Sequence, residues 1–350
     1  MKKHYDFVYL TNTPSFYKLN LCNEICRTGH SVLLVLYGYG AEAVNSELAE
    51  DKKESSFDFV FLHGGDSHRR SKVKTFWRLL KLMHHITCDR VLYSGWLAPE
   101  YNAYAFLSPK HRNAVICESA IHDISLKGVA GLVKKAIIGQ MGYALPSGVP
   151  HQAFFDSIGF RGQSHITGSV GIFYKPGHRP KLRHTPLRYI FVGRLIDVKC
   201  PGMLIDEFNR TGRPLTIVGA GPLDVELKAR AKSNIIFTGF IDNESLGRIY
   251  QDSDVFILPS KSETWGLVVE EALYWGLPVI VSNRVGSADD MVKNLGTGIV
   301  FESQNPDSLH FAIEQMEKEY NKYVGAVDAI DWQQRDRNQV DAYLKILNKR

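Results

Sequence analysis

The sequence predicts an α/β protein made of two doubly wound domains. Three observations carry this. The chain opens as strand, loop, helix, strand, with an aromatic and β-branched strand at 7–10, a helix at 16–27 closed by Gly29, and a strand at 32–37. A proline-rich stretch containing Pro176, Pro180 and Pro186 then interrupts the alternation, and the strand–helix pattern restarts after it. Five strands of the second half each end in glycine or polar turns, as strands of a parallel sheet do on their ligand-bearing edge. The expected division is a first domain at 1–172, a linker at 173–186, a second domain at 187–326, and a terminal segment at 327–350.

In the first half, Thr11-Asn12-Thr13-Pro14-Ser15 is a turn-rich loop without Gly-x-Gly-x-x-Gly, which argues against a dinucleotide site there. A strand is expected at 57–62. From Ser67 to Ile86, Val73, Phe76, Trp77, Leu80 and Met83 recur at helical spacing, broadened by Leu79, Leu82 and Ile86. Arg69, Arg70, Lys72, Lys74, Arg78 and Lys81 flank this stripe. Such a helix either buries its apolar face in the domain or lies on an anionic membrane. Strands follow at 90–93 and 114–117, the second running into Glu118-Ser-Ala-Ile-His122-Asp123, with helices near 132–141 and around Phe154 and Phe155. In the second half, strands are expected at 188–192, 215–218, 235–237, 255–258 and 279–282. A helix at 267–274 is stopped by Gly276 and Pro278. The terminal helix, about 332–347, carries Val340, Tyr343, Leu344 and Leu347 along one side and follows a completed sheet, so it must pack elsewhere.

Hydrophobic residues at 44% and charged residues at 23% are ordinary for a soluble globular chain, and no apolar run approaches bilayer-spanning length. Met1 to Leu10 reads as a first strand rather than a signal peptide, and five scattered cysteines suit reduced thiols in a cytosol. Cys22 and Cys26 read as a half-buried helix face rather than a metal site. Residues 1–170 hold 19 basic against 14 acidic side chains, and residues 171–350 hold 23 of each, so the net charge of +5 lies in the first half. A peripheral place on the inner face of a membrane therefore stands beside the cytoplasmic one, and no nucleic-acid partner is expected.

The chemistry concentrates around Ser260–Ser282. A polar loop with Glu263 leaves a buried strand and feeds a helix N-terminus at Trp265, Gly266 and Leu267, whose N–H groups can receive phosphate or hydroxyl oxygens. The other strand ends contribute Gly193 and Arg194 with Lys199, Gly219 with Gly221, and Phe240. Two basic groups, close-approach glycines and two carboxylates, Glu263 and Glu271, are the residue types that hold a diphosphate carrying polyols at both ends. Asp252-Ser-Asp254 precedes a strand and reads as a helix–strand turn. Pro222 and a missing third glycine argue against a dinucleotide loop at Gly219-Ala-Gly221. His122 reads more readily as a structural or solvated loop histidine than as a base.

Glu263-x7-Glu271 within Ser-Glu-Thr-Trp-Gly-Leu-Val-Val-Glu-Glu-Ala, followed by Gly-Leu-Pro-Val-Ile, resembles the signature of the retaining glycosyltransferases of family four. Phe-Val-Gly-Arg-Leu with Lys199, Val-Gly-Ala-Gly-Pro, Phe-Thr-Gly-Phe and the loop 286–290 match in the same order. The resemblance implies a GT-B fold, two facing Rossmann-like domains with a C-terminal helix crossing back to the first. It implies a UDP- or GDP-linked sugar as donor, a glycan or lipid-linked glycan as acceptor, and no metal or other cofactor. Arg194 and Lys199 would neutralise the leaving diphosphate, Gly266 and Leu267 would bond it, Glu271 would hold the ribose and Glu263 the donor sugar. Asn12, Glu118 and His122 would lie on the acceptor side. Cell-surface polysaccharide assembly, as in lipopolysaccharide, O-antigen or capsule, is the implied setting. A nucleotide-sugar 2-epimerase or a catalytically idle nucleotide-sugar-binding protein of the same fold are the alternatives. Glu270, where relatives often carry a neutral residue, and the glycine-free first loop depart from the pattern.

Overall fold

The computed structural model describes residues 2–12, 14–38, 56–64, 69–121, 124–171, 173 and 183–347, the side chains of 243 and 244 excepted. The chain divides into two compact units, Met1–Tyr174 with Trp332–Arg350, and Lys175–Asp331.

The first unit is built on β1 (Lys3–Thr11), β2 (Val32–Leu36), β3 (Asp58–Phe61), β4 (Ile86–Ser94), β5 (Asn113–Cys117), β6 (Tyr143–Pro146) and β7 (Gln163–Ser164). They form one parallel sheet in the order β3-β2-β1-β4-β5-β6-β7. Side-chain alternation splits the strands between two cores. Val8, Leu10, Leu33, Val35, Val91 and Tyr93 pack on one face. That face is covered by Leu79 of α2 (Lys72–His85), Tyr101 of α3 (Pro99–Ala105), Ile137 of α4 (Gly128–Ile138) and Phe154 of α5 (Val149–Ser157). Phe7, Tyr9, Leu34, Leu36 and Leu92 face the other way, against Leu19, Cys22 and Ile25 of α1 (Phe16–Arg27).

The second unit holds β8 (Tyr189–Val192), β9 (Leu215–Val218), β10 (Ile235–Gly239), β11 (Val255–Leu258), β12 (Val279–Ser282) and β13 (Gly298–Phe301), parallel in the order β10-β9-β8-β11-β12-β13. Its helices are α6 (Pro201–Thr211), α7 (Asp224–Arg230), α8 (Asn243–Gln251), α9 (Leu267–Tyr274) and α10 (Pro306–Asp328), with a π-helical turn at Ala288–Lys293. Asp254 is a structural staple: its carboxylate accepts from the backbone N–H of His184 and Arg188 and bonds the His184 ring at 3.0 Å. Asp252-Ser-Asp254 is thus a helix–strand turn, as its sequence position suggests.

The last helix, α11 (Trp332–Leu344), belongs to the first unit. Val340, Tyr343 and Ile346 close the same core that α1 covers. The apolar side read from the sequence therefore has its partner in the first sheet.

Several elements differ from expectation. The helix expected to reach Met141 ends at Ile138, and a four-residue strand, β6, follows. α3 and β13 are also present; runs of seven and four residues carry too few periods to show a pattern. The stripe on α2 is divided. Thr75 and Leu79 are buried, while Val73 and Trp77 are 67% and 64% exposed. Two of its flanking cations are engaged within the unit: Arg70 pairs with Glu100 at 2.5 Å, and Arg78 donates to the Leu62 carbonyl at 2.7 Å.

Candidate active site

Each sheet has one place where the chain order reverses, and loops splay apart at the carboxyl ends of the two strands flanking it. In the second unit this is between β8 and β11. The loop after β8 carries Gly193, Arg194 and Leu195, then a tight turn, Asp197–Lys199. Leu195 is buried and its N–H donates to the Ala220 carbonyl at 3.0 Å. A Cβ added to Gly219 would run into the Gly193 carbonyl, and one on Gly221 into that of Leu195. These are the positions where the absence of a side chain lets neighbouring loops nest. Arg194, left outside this packing, is exposed and makes no ion pair among the described residues.

The loop after β11 is held on both sides. Lys261 N–H donates to the Val198 carbonyl at 2.9 Å, linking it to the Lys199 turn. Glu263 forms a parallel bridge with Val285, donating its N–H to Arg284 O at 3.1 Å and accepting from Gly286 N–H at 2.8 Å. Trp265 is buried, and its indole N–H donates to the buried Glu270 carboxylate at 3.1 Å. The Trp265 side chain is thus an anchor of the loop. Gly266 caps α9 with φ +91, and an added Cβ would press on Val285, Glu263 and Val269 at 3.1–3.3 Å. The first N–H groups of α9 have no partners within the helix.

These two loops bring Lys199 and Glu263 into an ion pair. Burial, and then the Arg194 charge, lower the Lys199 pKa to about 8, while the Glu263 carboxylate opposes both by favouring the charged amine. On α9, Glu271 keeps some exposed surface, but its carboxyl is densely surrounded. Burial raises its pKa to about 7, the Glu270 charge adds to the rise, and a hydrogen bond from Tyr250 works against it. That bond, from the buried Tyr250 hydroxyl of α8, measures 3.3 Å. At the end of β10, Phe240 is 81% exposed beside Gly239, whose carbonyl accepts from Gly219 N–H at 2.8 Å. One rim therefore presents two cations, a helix N-terminus, two carboxylates and an aromatic ring. Together these groups can bind a diphosphate and hydrogen-bond hydroxyls on either side of it. A cavity of about 610 Å³ lies instead beside α6 and α7. Its arginines are already paired, Arg230 with Asp206 and Glu226, Arg210 with Glu207.

The family comparison bears on this rim directly: residues 177–328 match the family described as Glycosyl transferases group 1. The second unit is similar to group 1 glycosyltransferases over nearly its whole length. Relatives of this domain include the D-rhamnosyltransferase WbpZ of Pseudomonas aeruginosa, 33% identical over 135 residues (37% of this chain, 35% of that protein). The O-antigen chain mannosyltransferase C of Escherichia coli is 28% identical over 145 residues, 39% of each chain. The matched stretches span little more than a third of these relatives. Whole-chain likeness appears among solved structures. The lipopolysaccharide outer core galactosyltransferase WaaB aligns with a TM-score of 0.71 at 13% identity, covering 97% of this chain and 99% of its own. HepE of Anabaena in complex with UDP aligns at 0.69 and 15% identity, covering 99% and 96%. The region similar to group 1 glycosyltransferases thus sits in a chain with the GT-B fold.

In the first unit the reversal lies between β1 and β4, and a cavity of about 330 Å³ opens there. Asn12 and Glu118 line it, with Tyr17, Lys18, Trp96 and Lys134. His122 lies outside the described residues. Lys18, Lys134, Trp96 and, in the second unit, Tyr250 are not expected at a site from the sequence. Each sits within or beside an ordinary helix, and only the fold turns it toward a site. Among the described residues, one cluster has donor atoms close enough for a metal ion: His4, Asp6 and Asp89, at the end of β1 away from the cavity. Asp6 there already accepts from the N–H and hydroxyl of Ser31.

Proposed function

We propose that this protein is a retaining glycosyltransferase that moves a sugar from a nucleotide diphosphate sugar to a glycan or lipid-linked glycan. The observation that carries this reading is the convergence of Arg194, Lys199, the α9 N-terminus, Glu263 and Glu271 at the chain reversal of a group 1 domain. The names of its relatives support the reaction class, and the UDP and UDP-glucose complexes of HepE support the donor class. The names of WaaB and of the O-antigen mannosyltransferase favour cell-surface polysaccharide assembly.

In this reading the second unit holds the donor. Glu271 accepts hydrogen bonds from the ribose hydroxyls, Gly219 and Phe240 frame the base, and Glu263 accepts from hydroxyls of the transferred sugar. Arg194, Lys199 and the N–H groups of Gly266 and Leu267 meet the diphosphate. As the bond from the sugar's anomeric carbon to phosphate oxygen breaks, negative charge grows on that oxygen. Positive groups already in place stabilise it without reorganisation; removing one such group typically costs about 100-fold or more in rate. This supports chemistry that proceeds without a metal. The acceptor hydroxyl adds to the same face of the anomeric carbon, and its proton passes to the departing phosphate oxygen, so configuration is retained. The first unit, with Asn12 and Glu118, takes the acceptor. The two alternatives, epimerase and idle binder, separate by product: an epimerase releases altered sugar without acceptor, and an idle binder turns nothing over.

A thermal-shift panel of UDP-, GDP- and ADP-sugars tests the donor site. A true donor at 100 times its Kd adds about 2.7 kcal/mol of stability to the unit that binds it. For a unit of this size that is a rise of roughly 5–10 °C. If no nucleotide sugar raises the transition, the donor reading fails.

A further inference from the structure

We propose that the cavity between β1 and β4 in the first unit recognises a sugar bearing an anionic group, a phosphate or a carboxylate, and that the acceptor presents such a group there. This rests on the assignment of the first unit to the acceptor.

The deciding residue is Lys18. It lies on α1, lines the cavity, and is only 5% exposed. A buried ammonium is costly unless compensated. Its Nζ makes one hydrogen bond among the described residues, to Asn12 Oδ1 at 3.0 Å, although it has three protons to donate. Thr11 Oγ1 donates to the same Asn12 oxygen at 3.3 Å. The two donors fix the amide with its oxygen inward, which leaves the Asn12 NH2 group for an incoming oxygen.

The countercharge is Glu118, whose carboxylate accepts from the Tyr17 hydroxyl at 3.3 Å. Lys134 of α4 lines the same cavity, with one hydrogen bond among the described residues, to the Ser125 carbonyl at 2.9 Å. Among the described lining residues two ammonium groups thus accompany one carboxylate, an excess of one positive charge. In a partly desolvated space that excess attracts an anion far more strongly than in water. Burial lowers the Lys18 pKa, and the Glu118 charge works against that lowering; a bound anion would act in the same direction as Glu118. Trp96 supplies an aromatic wall on which the C–H face of a sugar ring can pack. A volume of about 330 Å³ is at the small end for ligand sites and suits a single charged sugar residue.

The test is binding of glucose, glucose 6-phosphate and glucuronate to the full chain, measured by saturation-transfer NMR titration. Wild type is compared with Lys18→Met and Lys134→Ala, and UDP binding is recorded on every sample. At least one anionic sugar is expected to bind about tenfold more tightly than glucose, and the preference should shrink severalfold in both variants. Which of the two binds better identifies the anionic group. Equal binding of all three sugars, absence of binding by both anionic ones, or a preference intact in both variants overturns the proposal. Should Lys18→Met misfold, Lys134→Ala decides alone, because that side chain is not part of the core. Loss of anion preference with normal UDP binding leaves the donor reading standing, whereas failure of UDP to bind wild type would count against the donor reading and not against this one.

Discussion

Glu270 turns its carboxylate inward onto the Trp265 indole, and Glu271 keeps its own beside the Tyr250 hydroxyl. The charge that departs from the family pattern at position 270 is therefore structural: it anchors the loop that carries Glu263. It also disfavours ionisation of its neighbour. Glu271 titrates at about 7, chiefly through burial, and Lys199 at about 8, for the same reason. If Glu271 accepts ribose hydroxyls, it must be ionised, so donor affinity falls as pH drops through about 7. If Lys199 meets the diphosphate, it must be protonated, so affinity also falls as pH rises through about 8. Calorimetric affinity for the donor should be bell-shaped between these limits. Tyr250→Phe removes the hydrogen bond that favours ionised Glu271, so the acid limb should move to higher pH while the alkaline limb stays. A flat profile, or an acid limb unmoved in the variant, would contradict these roles.

At the scale of elements, α11 and α2 show opposite relations to the core. Tyr343 of α11 is almost fully buried among Phe7, Tyr9, Leu19 and Ile25. Truncating a buried aromatic side chain costs about 3–5 kcal/mol, through lost transfer energy and the cavity left behind. Tyr343→Ala should therefore lower the first unit's unfolding free energy by that amount, read in urea as a lower midpoint at unchanged slope; an unchanged midpoint would mean that α11 is not part of this core. α2 buries Thr75 and Leu79 and turns Val73 and Trp77 outward. The sequence showed a helix with a wide apolar stripe and could not say which edge of that stripe the sheet would take. The choice belongs to the strands beneath it, where Leu82 and Met83 pack against Val8 and its neighbours and Trp77 does not.

At the scale of the whole molecule, the two units repeat one device: a parallel sheet whose strand order reverses once, with polar loops gathered at the reversal. Under the proposed function, the reversal in the second unit takes the donor and that in the first takes the acceptor. Among the described residues, no helix is long and apolar enough to cross a membrane. A peripheral contact remains a proposal, supported by the outward face of α2, where Val73 and Trp77 sit among Lys72, Lys74 and Lys81. With about 1 kcal/mol per basic residue near an anionic surface, the chain should float with anionic liposomes at low salt and leave them at high salt. Absence of flotation at low salt would rule this face out as a membrane contact.

The strand–helix alternation, the Gly193–Arg194 and Gly219–Gly221 turns and the start of α9 at Leu267 could all be read from local sequence, because strand ends, glycine turns and helix starts are local choices of the backbone. So could the likeness to group 1 glycosyltransferases, whose matched residues, 177–328, lie along a single unit. Contacts made over long sequence separations could not. The pairing of Lys199 with Glu263, the Tyr250 bond to Glu271, the inward turn of Glu270, and the meeting of Asn12, Lys18, Glu118 and Lys134 in one cavity depend on which strands neighbour each other at the reversal of each sheet. Strand order is set by packing of the whole unit, and no short stretch of residues encodes it.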